Sequence, residues 1–149
     1  MGLTAKEYQA LRISKAVNQE SPEKLLGRKK NKHDESLLQE AIIKYARLKY
    51  PDEIIYAIPN GAKRGIVQAS IMKRTGLLAG VPDIFIAKPF SSPKGLIQFH
   101  GLYMEIKTSK GVLSENQKTI IPKLQEKGYQ VEIIRSLDDA IKILNEYLG

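Results

Sequence analysis

The passage "GLYMEIKTSKGVLSENQKTIIPKLQEKGYQVEIIRS" limits what this chain can fold into more than any other. It opens on a short apolar run, passes through a polar stretch with helical spacing, and ends on a second apolar run. Ser114 followed three residues later by Gln117 is a capping-box signature for a helix start, and Gly128 closes the same helix. Pro122 falls inside it, where it removes a backbone donor and is expected to kink the helix or cut it short. A strand, a helix and a strand in this order favour a parallel strand pair.

The remaining segments extend that unit. "DESLLQEAIIKYARLKYP" places apolar residues 38, 41, 42 and 45 on one helical face and stops at Pro51. "EIIYAIPNG" reads as a short strand ending in the turn dipeptide Asn60-Gly61, and "AKRGIVQASIMKRTGLLAG" as a helix. "PDIFIA" is a strand, "KPFSSPKGLIQFH" a loop or the start of a β-hairpin, and "LDDAIKILNEYLG" a closing amphipathic helix. The order α-β-α-β-β-α-β-α describes an α/β fold: a mixed sheet flanked by helices, its middle two strands antiparallel. Upstream, "LTAKEYQALRISKAV" reads as a short helix with a Thr4–Glu7 capping-box pattern, and "NQESPEKLLGRKKNKH" as a linker or arm. The expected division is a basic, partly helical extension over 1–34 and one folded domain over 35–149.

Charge narrows the partners. The net charge is +8, and residues 1–34 carry eight Lys/Arg against four acids. Such a balance suits nucleic acid, because Lys and Arg replace the counterions condensed on phosphates. Cysteine is absent, which excludes a disulfide framework and a thiolate zinc site. No apolar run approaches the length of a membrane span, and "MGLTAKEYQALR" lacks the apolar core of a signal peptide, so a cytoplasmic protein is expected.

Within this basic chain three charges sit on runs that otherwise look bound for a core. Alternation along a strand points Glu105 and Lys107 the same way, with Met104 and Ile106 on the opposite side. Asp83 opens the preceding strand. If the two strands are neighbours, Asp83 and Glu105 come within reach of one metal, and their oxygens, with the backbone carbonyl of Ile106, suit a hard cation such as Mg²⁺. Such an ion polarises a scissile phosphate and lowers the pKa of an attacking water. Lys107 would then offset charge that develops on the phosphoryl oxygens. A bare Glu-x-Lys triplet is more often an ordinary exposed neighbour pair; the combination with Pro82-Asp83 is what gives it weight.

"GVPDIFIA" followed by "GLYMEIKTSKGVLSENQK" resembles the PD-(D/E)xK nuclease pattern in its VRR-NUC (virus-type replication-repair nuclease) form. The likeness runs upstream through "IPNGAKRG" and downstream through "GYQVEIIRS", over about residues 35–137. It implies a restriction-endonuclease-like fold, phosphodiester cleavage dependent on Mg²⁺ or Mn²⁺, and DNA as substrate. Stand-alone members are similar to Holliday-junction resolvases, which implies a homodimer acting on branched DNA such as four-way junctions. Asp83 and Glu105 become metal ligands and Lys107 the catalytic lysine. The family pattern also includes a first-helix glutamate and a glutamine after the Glu-x-Lys strand. Gln117 fits the latter, although the capping box explains it equally well. Helical geometry selects Glu35, on the inward face with Leu38 and Ile42, over Glu40, which points to solvent. An acid placed at a helix N-terminus for the macrodipole is the alternative for Glu35.

Gly61 permits close backbone approach to a phosphate, and Lys63, Arg64, Lys73, Arg74 and Lys110 are candidate phosphate contacts. His33 and His100 read as loop residues without partner spacing. The tyrosines look scattered singly, with Tyr45 and Tyr147 on core faces of helices. Composition alone accommodates a non-catalytic nucleic-acid-binding module on the same fold, or a nuclease acting on RNA or duplex ends.

Overall fold

The computed structural model describes residues 32–59 and 66–149. The N-terminal helix, the basic arm and the Asn60-Gly61 turn expected from the sequence lie outside the described residues. Helix α1 (Lys32–Lys49) leads into β1 (Ile55–Ala57), α2 (Ile66–Arg74) and β2 (Ile84–Ile86). A small hairpin, β3 (Phe90–Ser91) and β4 (Ile97–Phe99), precedes β5 (Leu102–Ile106), α3 (Glu115–Glu126), β6 (Gln130–Ile134) and α4 (Leu137–Leu148). His33 falls within α1 rather than a loop.

The main sheet has the order β1-β2-β5-β6. β2 runs antiparallel to both β1 and β5, and β6 runs parallel to β5, as the strand–helix–strand passage requires. Ile84, Ile86, Leu102, Met104, Ile106 and Ile134 project from one face and are buried almost completely. α1 and α4 close that face, burying Ala41, Ile42, Tyr45 and Ala46 from the first and Ala140, Ile141, Leu144 and Tyr147 from the second. The apolar stripes read from the sequence are therefore the core.

Two sequence readings that left alternatives are narrowed. Pro122 does not cut α3 short: the helix continues to Glu126. Pro122 lies on the exposed side, so the carbonyl it leaves without an amide donor can turn to water. The far end is held by Gly128 at φ 82°, where the Gly128 N–H donates to Gln125 O (2.9 Å) and the Tyr129 N–H to Leu124 O (3.1 Å). Those paired bonds are a Schellman closure, which selects glycine at the left-handed position. The stretch 88–100 forms a second, two-stranded sheet of its own. Phe90 stacks on Tyr147 at 5.3 Å between centroids, which fixes this hairpin to α4.

α1 and α4 are locked by one side chain. Asn145 Oδ1 accepts from Tyr45 OH (3.1 Å), Tyr50 OH (2.7 Å) and Lys49 Nζ (2.6 Å). Asn145→Leu removes the acceptor shared by two partly buried hydroxyls and an ammonium. The expected loss is about 1–3 kcal/mol, measured as a lower denaturant midpoint at unchanged slope. Among the described residues no helix is long and apolar enough to cross a membrane.

Candidate active site

The face of the sheet opposite the α1/α4 core carries the acids. Continuing the register that pairs Ile84 with Met104 sets Asp83 directly across from Glu105, and residues opposed in this way share a face. Asp83 is fixed at that position on both sides. Its carbonyl accepts the Ile58 N–H (2.7 Å), and its Oδ2 accepts the Ile106 N–H (2.8 Å). Pro82 just before it is fully buried, so the entry to β2 is rigidly seated.

Glu105 is the one buried charged residue among those described, at 1% exposure. Its Oε1 takes two donors, Lys107 Nζ at 2.6 Å and Gln117 Nε2 at 2.5 Å. Its Oε2 is buried and has no hydrogen-bond partner among the described residues. Burial is the main cause that lifts the carboxyl to about 7; the negative charge of Asp83 adds to this, while Lys107 and Gln117 pull the other way. Gln117 caps α3 and also contacts Glu105. Its side chain accepts the Ser114 N–H (2.9 Å) to complete the capping box while its amide reaches Glu105. The cap thus orients the glutamine toward the acid.

Glu35 stands at the margin of the same cleft, half-buried, with Oε1 accepting the Thr108 N–H at 3.1 Å. Glu40 is exposed and pairs with Lys44, as helical geometry required. Asp83, Glu105, Ile106, Lys107, Gln117, Glu35 and Lys73 line one cleft of about 820 Å³. Arg74 is exposed at the end of α2 and does not line it, and Lys110 lies exposed on the turn after β5. Gly61, Lys63 and Arg64 lie outside the described residues.

Two contributors could not be read from the sequence. Arg135 Nη1 donates to Thr108 O (2.7 Å) and Gly111 O (2.9 Å), tying down the loop that follows Lys107. Gly80, at φ 93°, lets the approach to β2 pack against the first turn of α3, where a Cβ would stand 2.5 Å from the Asn116 backbone. This contact seats Gln117 beside Glu105. Gly80→Ala is expected to destabilise the fold by about 1–3 kcal/mol from backbone strain alone and by more from the clash, read from the thermal midpoint.

The donor set fits a hard divalent cation. Two carboxylates share a face, and one has a buried oxygen without a hydrogen-bond partner among the described residues. Among the described residues no three His, Cys, Asp or Glu side chains converge on a common point. The remaining ligands would be a backbone carbonyl, water or substrate oxygen, the way Mg²⁺ is commonly held.

Fold and cleft together define a mixed-sheet α/β domain with two carboxylates and a lysine gathered in one cleft. The VRR-NUC domain model matches residues 17–138, so the chain belongs to the VRR-NUC family of nuclease domains. A solved structure described as a VRR_NUC domain protein is similar at 23% identity and TM-score 0.60, covering 76% of this chain and 87% of that one. A second, described as a VRR_NUC domain, is similar at 16% identity and TM-score 0.43, covering 72% of this chain and 95% of that one. Among curated proteins no match is found.

Proposed function

We propose that this chain is a divalent-metal-dependent DNA endonuclease that hydrolyses phosphodiester bonds in branched DNA such as four-way junctions, working as a homodimer. The observation that carries the reading is the juxtaposition of Asp83 and Glu105 with the Lys107 ammonium at 2.6 Å from Glu105. Asp83, Glu105 and the Ile106 carbonyl would hold Mg²⁺ or Mn²⁺, with Glu35 a further oxygen ligand at the margin. When bound, the ion neutralises phosphate charge and makes water a better nucleophile.

The chain's own groups do the rest. The Ile106 N–H anchors one oxygen of Asp83 and leaves its other oxygen directed by that bond. Gln117 and Lys107 fix the rotation of Glu105, so its second oxygen is presented without competing donors. The Lys107 side chain is 13% exposed, which keeps its ammonium at the cleft where phosphoryl oxygens gain negative charge during attack. Lys73, Arg74 and Lys110, with Gly61, Lys63 and Arg64, supply phosphate contacts that position DNA without reading its sequence.

The test is a cleavage series on four-way junctions, flaps, linear duplex and single-stranded RNA, each with Mg²⁺ and with Mn²⁺. Junction cutting in either metal supports the reading. Salt-sensitive binding with no product in both metals favours a binding module instead.

A further inference from the structure

Four aromatic side chains that the sequence scatters converge on the face that carries Asp83 and Glu105. Phe85 lies two residues beyond Asp83 on β2, and Tyr103 two residues before Glu105 on β5, so both rings share the face of the acids. The Phe85 and Tyr103 ring centroids are 4.5 Å apart. Tyr56, paired with Phe85 between β1 and β2, meets that ring edge-on with centroids 5.8 Å apart, and the Tyr129 centroid closes the group at 5.9 Å from Phe85 and 5.4 Å from Tyr103. The helix packed on this side, α3, lies over β6. Tyr56 is left 45% exposed, and the other three rings are only half-buried.

This surface is continuous with the candidate site. Two residues along a strand amount to about 7 Å, so the rings stand beside the acids and not at the far end of the sheet. Gly101, just before β5, makes room for the arrangement: a Cβ there would meet the Phe85 ring at 2.8 Å.

We infer that Tyr56, backed by Phe85 and Tyr103, is a stacking platform for an unpaired nucleobase beside the phosphate to be cut. The inference rests on the nuclease reading above and adds the substrate feature that the site selects. A base has two apolar π-faces and a polar rim, and aromatic rings accept it without regard to sequence. The chain's net charge of +8 attracts the sugar–phosphate backbone to the protein. A second copy of the chain is the competing occupant, and the rings are small for it. A free aromatic side chain offers roughly 150–250 Å². Half of one and less of three others falls well short of the roughly 800 Å² per partner that stable association buries. DNA whose strands are splayed next to the cleaved bond therefore binds better than intact duplex.

The experiment uses the full chain in EDTA with DNA carrying 2-aminopurine, either in a single-nucleotide flap or within a fully paired duplex of equal length. The flap probe should be quenched on binding. Tyr56→Ala should abolish the quench and weaken flap binding about 5- to 100-fold, at least five times more than it weakens duplex binding. Tyr56→Phe should keep both. Equal weakening on flap and duplex overturns the proposal. So does a Tyr56→Ala chain that sediments as a monomer where the parent is a dimer, which assigns the rings to the second copy. A parent protein that quenches the flap probe yet cuts nothing in Mg²⁺ or Mn²⁺ upholds the platform and removes the catalytic reading; cutting without quenching does the reverse.

Discussion

Asp83→Asn is expected to lower metal-supported cleavage by about a thousandfold or more, while junction binding stays near that of the parent. The variant removes one anionic oxygen from the pair and nothing else of consequence. Asp83 Oδ2 accepts the Ile106 N–H, and an asparagine carbonyl accepts the same bond, so β2 and β5 stay in register. The loss is therefore chemical. Charge stabilisation by a bound ion contributes several kcal/mol to the barrier, and each 1.36 kcal/mol is about tenfold in rate. In the proposed function, binding would be carried by Lys and Arg on the surface, which the substitution leaves in place. Single-turnover cleavage and a gel shift on the same junction read the two quantities separately. A parallel loss of both would mean that Asp83 serves the fold.

Glu105→Gln has two large effects of opposite sign. Cleavage should fall as far as in the first variant, yet the metal-free protein should become more stable at neutral and alkaline pH. The Glu105 carboxyl sits at about 7 in the fold against an ordinary 4.5. The folded chain thus resists its ionisation. The associated stability is complete below about pH 4.5 and is lost as pH rises through about 7. A difference of this size corresponds to ~3 kcal/mol at pH 8. Glutamine cannot ionise. Its carbonyl can accept from Lys107 and Gln117 as Oε1 does now, and its amide fills the position of the unpartnered Oε2. Denaturant unfolding in EDTA should show the variant ahead of the parent at pH 8 and level with it at pH 4. A variant less stable than the parent at pH 8 would show that the Lys107–Glu105 ion pair outweighs the burial of the charge.

Much of this was legible in the chain because local chemistry set it. Ser114 and Gln117 announce the start of α3, and the apolar pattern of "PDIFIA" and "LYMEI" marks β2 and β5 as strands. Once those strands are neighbours, the period of two puts Asp83, Glu105 and Lys107 on one face. The choice of Glu35 over Glu40 needed only the helical angle, and Glu40 is indeed the solvated one. What the sequence withheld depends on contacts between distant segments. Tyr56, Phe85, Tyr103 and Tyr129 come from four strands or strand ends, and no spacing rule relates them before the sheet order is known. Arg135 is pointed at Thr108 and Gly111 by the parallel pairing of β5 with β6, a tertiary fact. Pro122, expected to kink the helix or cut it short, does not end it. Helix propensity describes an isolated segment, and here the buried Ile121 and the Gly128 closure hold the helix through it.

The most direct measurement is a calorimetric titration of Mn²⁺ into the metal-free protein at pH 8, repeated with Asp83→Asn and with Glu105→Gln. The paired-carboxylate site predicts saturable binding by the parent and none by either variant over the same concentration range. Isotherms that match the parent's in both variants would contradict it.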